Sequence, residues 1–320
     1  MRKNSILRAC FPVTVLLMAS CNSNPKFMQM EPKSSDIFFD DLSYTNLQSF
    51  YHNNWKIRTQ PGHPGMEGAT WSTEGVSFHQ VDENEKNTFL RMTSITDGSG
   101  ENTRHTQICH ARKYREGTYA ARVYFRDEPT FGPDGDEVIQ TFYTISPLKS
   151  PMHPDYSEAD FEYLGNGGWE EGKAPAIWSV SWETFQLEPW TKVNEYTRTE
   201  GSLSGWHTLV LTVADDKLSY YVDGKPIGKH SEKVYPEVAM SINFNLWFMI
   251  KSEEEAEGRP YDSTELRQYQ QDIDWVFHQS NVALTTKEVE KRVAQFRQNN
   301  INFIDEVKEH TPPLPSPCGL

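Results

Sequence analysis

Three acidic residues, Glu158, Asp160 and Glu162, occupy alternate positions in the stretch "SEADFEYLG" (157–165). No lysine or arginine lies among them, and the positions that alternate with them hold alanine, phenylalanine and tyrosine. Successive side chains of a β-strand point to opposite faces, so the three carboxylates share one face of the strand. The pattern therefore predicts a strand whose apolar face enters the core and whose acidic face lies open.

Three like charges held this close raise one another's pKa and destabilise a fold, which favours a chemical use for them. Retaining glycoside hydrolysis needs one carboxylate as nucleophile and one carboxylic acid as proton donor, ~5–5.5 Å apart. Two glutamates that lean together on a curved sheet can meet this distance, and a short aspartate between them can help to separate their pKa values. The alternative is an acidic strand face that simply contacts solvent.

Short segments with period-two alternation surround the acidic strand in the chain. They include "TFLRMTSI" (88–95), "GTYAARVYF" (117–125), "EVIQTFYTI" (137–145), "AIWSVSWETF" (176–185), "WHTLVLTV" (206–213) and "MSINFNLWF" (240–248). Their spacing and their content of β-branched and aromatic residues predict an all-β sandwich of two antiparallel sheets. The open face of one sheet would then carry the three acids.

The C-terminal segment has a different pattern. Thr285 and Glu288 form a capping-box signature, and apolar residues as far as Val307 follow helical spacing. We therefore expect the β-sandwich domain to span residues 36–283 and a helical extension to span 284–310, packed on the outside of the sandwich. The Pro-rich residues 311–320 are expected to form a tail.

The N-terminus has the features of an export signal. Basic residues precede an apolar run from Phe11 to Met18, and small residues lead to Cys21. This pattern resembles the bacterial lipoprotein signal, in which the cysteine becomes the lipidated first residue. We expect a signal peptide over 1–20, a tether over 21–35 and an exported protein anchored in the membrane through Cys21, on the periplasmic or cell-surface side. Cleavage without lipidation is the alternative.

Net charge and composition narrow the range of partners. A formal net charge of −14 disfavours binding to nucleic acids and to heavily sulfated glycans. The aromatic share of 12% suits both β-strands and surfaces that stack on sugar rings. A neutral polysaccharide is therefore the expected partner, and we expect a monomer.

Two cysteines remain once Cys10 and Cys21 are assigned to the signal and the lipid anchor. Cys109 and Cys318 are far apart in the chain and match neither a disulfide framework nor a metal-ligand spacing. We interpret Cys109 as a packed core thiol, and a bridge to Cys318 is the less favoured alternative.

The stretch around the three acids resembles the catalytic strand of glycoside hydrolase family 16, in the E-x-D-x-E form found in bacterial lichenases. Further matches follow in the family's order, among them "GATWSTEGVSF" (68–78), "NFNLWF" (243–248) and "DIDWVFHQSN" (272–281). The resemblance implies a concanavalin-like β-jelly-roll with a cleft. It also implies Glu158 as nucleophile, Asp160 as its electrostatic partner and Glu162 as general acid/base.

Seven further residues are candidate substrate contacts, from the resemblance or from strand alternation. They are His63, Phe142, Tyr156, Trp178, Trp182, Asn245 and Trp247. For Trp178 and Trp182, which share one strand face, core packing is as good an interpretation as stacking on a glycan. A loop histidine with satisfied hydrogen bonds is the alternative for His63. On the strand before the acids the candidate is Phe142 or its neighbour Tyr143, and an ordinary core aromatic is the alternative for either.

A structural calcium ion is the one metal ion that this interpretation includes. The resemblance places Asp274 at a position that can bind a structural calcium ion on the convex side, and a role in ending a strand is its alternative. Catalysis by two carboxyl groups needs no cofactor.

Together these patterns indicate a retaining endo-β-glycanase that cleaves a neutral polysaccharide. A β-glucan is the expected substrate. A transglycosylase on the same scaffold differs only in whether a sugar or water accepts the glycosyl group. A non-catalytic glycan-binding lipoprotein is the alternative from another class, although binding alone does not need three adjacent carboxylates.

Overall fold

The computed structural model describes residues 35–80, 88–169, 172–249, 263–315 and 318. The predicted signal peptide, Cys21 and all but the last residue of the tether lie outside these ranges. Lipidation of Cys21 therefore stays a prediction, which mass spectrometry of the mature N-terminus would test. Within the described ranges, no helix has the length and apolar character needed to span a bilayer.

The described residues form 17 strands, numbered in chain order, and two α-helices. One layer, the cleft sheet, consists of β2 (Lys56–Ile57), β6 (Arg104–Cys109), β8 (Val138–Ile145), β9 (Glu158–Leu164), β10 (Ala176–Gln186), β11 (Thr191–Glu200) and β15 (Ser241–Phe248). Its order is β2–β6–β15–β8–β9–β10–β11, with every neighbouring pair antiparallel. The acidic strand β9 thus lies inside this sheet.

The second layer is the outer sheet. Its main strands are β4 (Val76–Gln80), β5 (Thr88–Thr96), β7 (Gly117–Phe125), β12 (Gly205–Ala214), β13 (Lys217–Val222), β14 (Lys225–His230) and β16 (Arg267–Ser280). They pair in the order β4–β5–β16–β7–β12–β13–β14. The short strand β1 (Ile37–Asp40) extends this sheet along β16, and β3 (Thr70–Trp71) pairs in parallel with β6 of the cleft sheet.

The main core lies between the two sheets and receives the apolar face of β9. Ala159, Phe161 and Tyr163 are at most 2% exposed and belong to this core. Phe142 of β8 stacks on Phe161 and on Phe244, with ring centroids 5.9 and 5.1 Å apart. The predicted all-β sandwich with a C-terminal helix is confirmed, and burial of this apolar face leaves the acidic face of β9 pointing away from the core.

The helices are short and lie at the periphery of the sheets. Helix α1 (Leu47–His52) follows β1, and helix α2 (Thr286–Gln298) follows β16. At the start of α2 the Thr285 side chain accepts a hydrogen bond from the backbone N–H of Glu288, and the Glu288 side chain accepts one from the backbone N–H of Thr285. This is the reciprocal pair that the capping-box signature predicts. Val289 and Val293 of α2 pack in a separate apolar cluster of the outer sheet, which accounts for the helical spacing in this part of the sequence.

The predicted helical extension over 284–310 is wrong in its second half. The helix ends at Gln298 with Asn299 as its C-cap, and Asn300 adopts a left-handed conformation with φ of 54°. An asparagine in this conformation is a common helix terminator. The chain then forms β17 (Phe303–Asp305), which pairs with β1, so the apolar residues of this segment pack as a strand instead of a helix.

A disulfide joins Cys109 to Cys318 across a sequence separation of 209 residues. The interpretation of Cys109 as a free core thiol is therefore wrong. Cys109 lies opposite Asn243 of β15, which lies opposite Tyr143 of β8, and this row of side chains is on the cleft side of the sheet. Cys318 supplies the second sulfur at this position.

We expect Cys318→Ser to lower the free energy of unfolding by about 2–4 kcal/mol, because the disulfide restricts the unfolded chain over a long loop. Urea unfolding of the oxidised protein and of the variant measures this difference. The same comparison in a reducing buffer is the control, since both proteins then lack the disulfide. Equal midpoints for the two oxidised proteins would contradict the prediction.

Candidate active site

A cavity of about 650 Å³ lies over the open face of the cleft sheet. Glu158, Asp160 and Glu162 all line it, as the alternation along β9 requires. The same strand thus supplies core residues on one side and three acids on the other. A cavity of this size and composition is typical of small-molecule and glycan sites.

The floor of the cavity consists of rows of side chains that cross neighbouring strands. Residues directly opposite each other in an antiparallel pair point to the same face. Glu158 lies opposite Trp182 of β10, and Glu162 lies opposite Trp178. Asp160 lies opposite Tyr143 on the other side, in β8. The two tryptophans of β10 therefore lie directly beside the two glutamates of β9.

Hydrogen bonds hold two of the acids in place. The Tyr156 hydroxyl donates to Oε2 of Glu158 at 2.5 Å, and Nε1 of Trp182 donates to Oδ2 of Asp160 at 3.1 Å. Asp160 in its protonated form also donates a hydrogen bond to Glu158. Within the part of the chain that the structure describes, Glu162 is the acid whose carboxyl group makes the fewest such contacts.

The three carboxyl groups differ in pKa because their surroundings differ. Burial raises the pKa of Glu158 to about 7, against the opposing effect of the hydrogen bonds from Tyr156 and Asp160. Burial and then the charge of Glu158 raise the pKa of Glu162 to about 8, which Lys192 partly offsets. Burial and the charges of both glutamates hold the pKa of Asp160 well above its usual range. The hydrogen bonds that Glu158 receives lower its pKa and so favour its ionisation over that of Glu162.

Six of the seven predicted substrate residues line the cavity, and their contact with a substrate stays a prediction. They are His63, Tyr156, Trp178, Trp182, Asn245 and Trp247. The interpretation of Phe142 as a substrate contact is wrong, because Phe142 is 1% exposed and stacks inside the main core. Its neighbour Tyr143 lies opposite Asp160 and lines the cavity instead.

Trp169 also lines the cavity, although no sequence pattern assigns it there. Its ring lies perpendicular to that of Trp178, with centroids 4.8 Å apart. Trp169 has a left-handed backbone with φ of 52°, directly after Gly168. A side chain on Gly168 would come within 2.7 Å of Leu164. The glycines before Trp169 are thus the sequence signal for a turn that returns an aromatic ring to the cleft.

Arg58 fixes the loop that carries His63. Its guanidinium donates to the carbonyl oxygens of Gln60, Gly62 and His63 at 2.8–3.0 Å, and to Oε1 of Gln107 at 3.1 Å. Although Arg58 lines the cavity, it is 1% exposed and its donors are engaged by these acceptors. Arg58 therefore acts through the position of the loop and contributes little free charge to the cleft.

Asp274 lies in β16, away from the cavity, and its charge is compensated by arginines. Oδ2 accepts from Arg122 at 2.9 Å, and Oδ1 accepts from Arg297 of α2 at 2.8 Å. Among the described residues, no group of three or more His, Cys, Asp or Glu side chains could hold a metal ion. The surroundings of Asp274 therefore do not fit the predicted calcium ion, because guanidinium groups already neutralise its carboxylate.

An all-β sandwich with an acidic triplet on the floor of a cleft is the architecture of jelly-roll glycoside hydrolases. Residues 67–277 match the family model of glycosyl hydrolases family 16, and the chain belongs to this family. Among curated proteins, none matches the sequence significantly.

Solved structures share the fold at low sequence identity. Bacillus licheniformis β-glucanase is 16% identical, with a TM-score of 0.54, and the match covers 77% of this chain and 99% of that one. A Bacteroides ovatus family 16 enzyme of mixed-linkage glucan utilisation, in complex with a product, is 14% identical, with a TM-score of 0.55 over 75% and 98% of the chains. Laminarinase from Flavobacterium sp. UMI-01 is 15% identical, with a TM-score of 0.51 over 76% and 98%.

Proposed function

We propose that this protein is a retaining endo-β-glucanase in which Glu158 is the nucleophile and Glu162 the general acid/base. One observation carries the proposal: Glu158 and Glu162 flank Asp160 on one strand face, and all three acids line the cleft. Membership of a glycosidase family supports the reaction class. The mixed-linkage glucan named for one structural relative and the laminarinase among the others support a β-glucan as substrate.

The reaction proceeds in two displacements at the anomeric carbon. In the first, a Glu158 carboxylate oxygen bonds to that carbon while Glu162 gives its proton to the departing glycosidic oxygen. In the second, Glu162 takes a proton from water, the water oxygen bonds to the anomeric carbon and Glu158 departs as a carboxylate. Tyr156 and protonated Asp160 donate hydrogen bonds to Glu158 and so stabilise its charge in the starting and final states.

Product analysis on a panel of polysaccharides tests this proposal. The panel contains mixed-linkage, β-1,3-, β-1,4- and β-1,6-glucans and a galactan as the non-glucan control. We expect oligosaccharides from internal cleavage of at least one glucan, first formed as the β-anomer in NMR spectra. A first-formed α-anomer would exclude retention. Affinity for a glucan without any turnover, equal in wild type and Glu158→Gln, would instead indicate the non-catalytic glycan-binding protein.

We expect kcat/KM to follow a bell-shaped pH profile with its maximum between about pH 7 and about pH 8. Glu158 must be ionised to attack, so activity is lost as pH falls through about 7. Glu162 must be protonated to assist departure, so activity is lost as pH rises through about 8. Initial rates on a soluble glucan measure the profile, and thermal unfolding at each pH controls for loss of the fold. An acid limb at the ordinary pKa of glutamate would contradict the prediction.

A further inference from the structure

The hairpin of β10 and β11 exposes an unusual amount of apolar surface. Leu187, Trp190 and Tyr196 are 50%, 56% and 52% exposed and make up three of the six large apolar side chains that the described residues expose. Strand β11 is the edge of the cleft sheet, where proteins usually place charged residues to discourage association. Exposed aromatic residues at such an edge point to a binding surface.

Two of these three side chains face the active-site cavity. Trp190, Lys192, Asn194 and Tyr196 occupy alternate positions, and all four line the cavity. Glu195, between them, points the other way and accepts hydrogen bonds from the backbone N–H and the hydroxyl of Ser231. One side of β11 is therefore continuous with the floor of the cleft. Leu187 is on the same hairpin but does not line the cavity.

The register of the sheet relates this surface to the three acids. Tyr196 lies opposite Val180, which lies opposite Asp160, and Asn194 lies opposite Trp182. Neighbouring strands are ~4.8 Å apart, so β11 lies ~10 Å from β9. One strand spacing is close to the length of a hexopyranose along a chain. The cleft-facing side of β11 is thus about two sugar units from the reacting centre.

The side chains on this surface have the chemistry of a glycan site. The Trp190 ring lies 6.3 Å from that of Trp182 and 6.1 Å from that of Phe185, between centroids, so its orientation is set by neighbouring rings. Lys192 places its ammonium 5.6 Å from the centroid of the Trp182 ring. Aromatic faces suit the apolar C–H face of a pyranose, and the amide and ammonium groups can donate to its hydroxyls.

We propose that Trp190, Lys192, Asn194 and Tyr196 form an extension of the active site that binds neutral β-glycan chains long enough to cross from β9 to β11. This inference rests on the proposed function and specifies its substrate class: polymers and longer oligosaccharides are bound and cleaved better than short ones. Its two aromatic side chains determine specificity and take no part in bond cleavage, because β11 lies two strand spacings from β9. Lys192 also lowers the pKa of Glu162 and is therefore left unchanged in the test.

The test compares kcat/KM for a soluble β-glucan polymer and for a short aryl oligoglucoside in wild type, Trp190→Ala, Tyr196→Ala and Leu187→Ala. We expect each aromatic substitution to lower kcat/KM for the polymer about 10-fold, mainly through KM, and to leave the short substrate within about 2-fold. Tyr196→Phe keeps the ring and should retain most of the activity on the polymer. Leu187→Ala, the exposed control on the same hairpin, should match wild type on both substrates.

Equal losses on the two substrates, or no loss on the polymer, would overturn the inference while leaving the proposed function intact. A wild-type protein that cleaves no glucan would overturn the proposed function instead. Affinity electrophoresis in gels containing β-glucan then decides the inference separately. Retardation lost in Trp190→Ala and Tyr196→Ala but kept in Leu187→Ala supports the extension, whereas retardation that is unchanged, or absent in wild type, refutes it.

Discussion

Replacing Glu158 with glutamine is expected to lower kcat on β-glucan by at least ~10⁴-fold. The loss is large because Asp160 and Glu162 cannot form the glycosyl-enzyme bond in place of Glu158. The amide has the shape of the carboxyl group and can still accept a hydrogen bond from Tyr156, so the cleft should keep its geometry. An uncharged amide cannot form the bond to the anomeric carbon. Initial rates on a polymer, measured at the optimum of wild type, give the loss.

The same substitution should make the folded protein more stable at alkaline pH. Because burial raises the pKa of Glu158 to about 7, the folded state holds its proton more tightly than the unfolded state does. The stability that this proton contributes is present at low pH and is lost as pH rises through about 7. Glutamine does not ionise, so the melting temperature of Glu158→Gln should exceed that of wild type above this pH and the gap should narrow in acid.

A small anion distinguishes loss of the nucleophile from loss of the fold. In Glu158→Gly, azide can enter the space that the side chain leaves and attack the anomeric carbon from the same side, so it should form a glycosyl azide of inverted configuration. An aryl glycoside, whose leaving group needs little protonation, is the suitable substrate. Near-wild-type hydrolysis by Glu158→Gln, or a larger loss for Asp160→Asn than for Glu158→Gln, would remove Glu158 from the role of nucleophile.

The acidic strand is predictable from sequence because two local rules agree there. Alternation fixes which residues share a face, and the apolar residues between the acids decide which face is buried. Which side chains of the neighbouring strands lie beside the acids depends on strand register, which is a tertiary property. Alternation places Phe142 and Tyr143 on opposite faces of β8, but only the pairing of Tyr143 with Asp160 shows that Phe142 is the core residue.

Register also explains why the disulfide and the aromatic edge are hard to predict. Cys109 is on the cleft side of β6 because it lies opposite Asn243, and nothing in the sequence near Cys109 indicates that the tail returns there. Trp190 precedes an edge strand with few apolar residues, so composition gives no reason to place it in a cleft. Similarly, Arg297 neutralises Asp274 only because α2 packs on the outer sheet.

Replacing Glu162 with glutamine should separate substrates by their leaving groups. On β-glucan, whose departing sugar needs a proton, kcat should fall by ~10²–10⁴-fold. On an aryl glucoside with an acidic phenol as leaving group, the first displacement needs no proton donor and should stay fast. The second displacement still needs Glu162 as base, so the glycosyl-enzyme should accumulate and stopped-flow absorbance should show a burst of phenol followed by a slow steady state.

The pH profile gives a second, independent signature of the same residue. In Glu162→Gln the alkaline limb near pH 8 should disappear from the profile of the residual activity on β-glucan, because the group whose ionisation causes it is absent, while the acid limb set by Glu158 should remain. Glu183→Gln, which replaces a partly buried glutamate of β10 outside the cavity, is the matched control and should behave as wild type. Equal losses on β-glucan and aryl glucoside, without a burst, would mean that Glu162 does not transfer the proton.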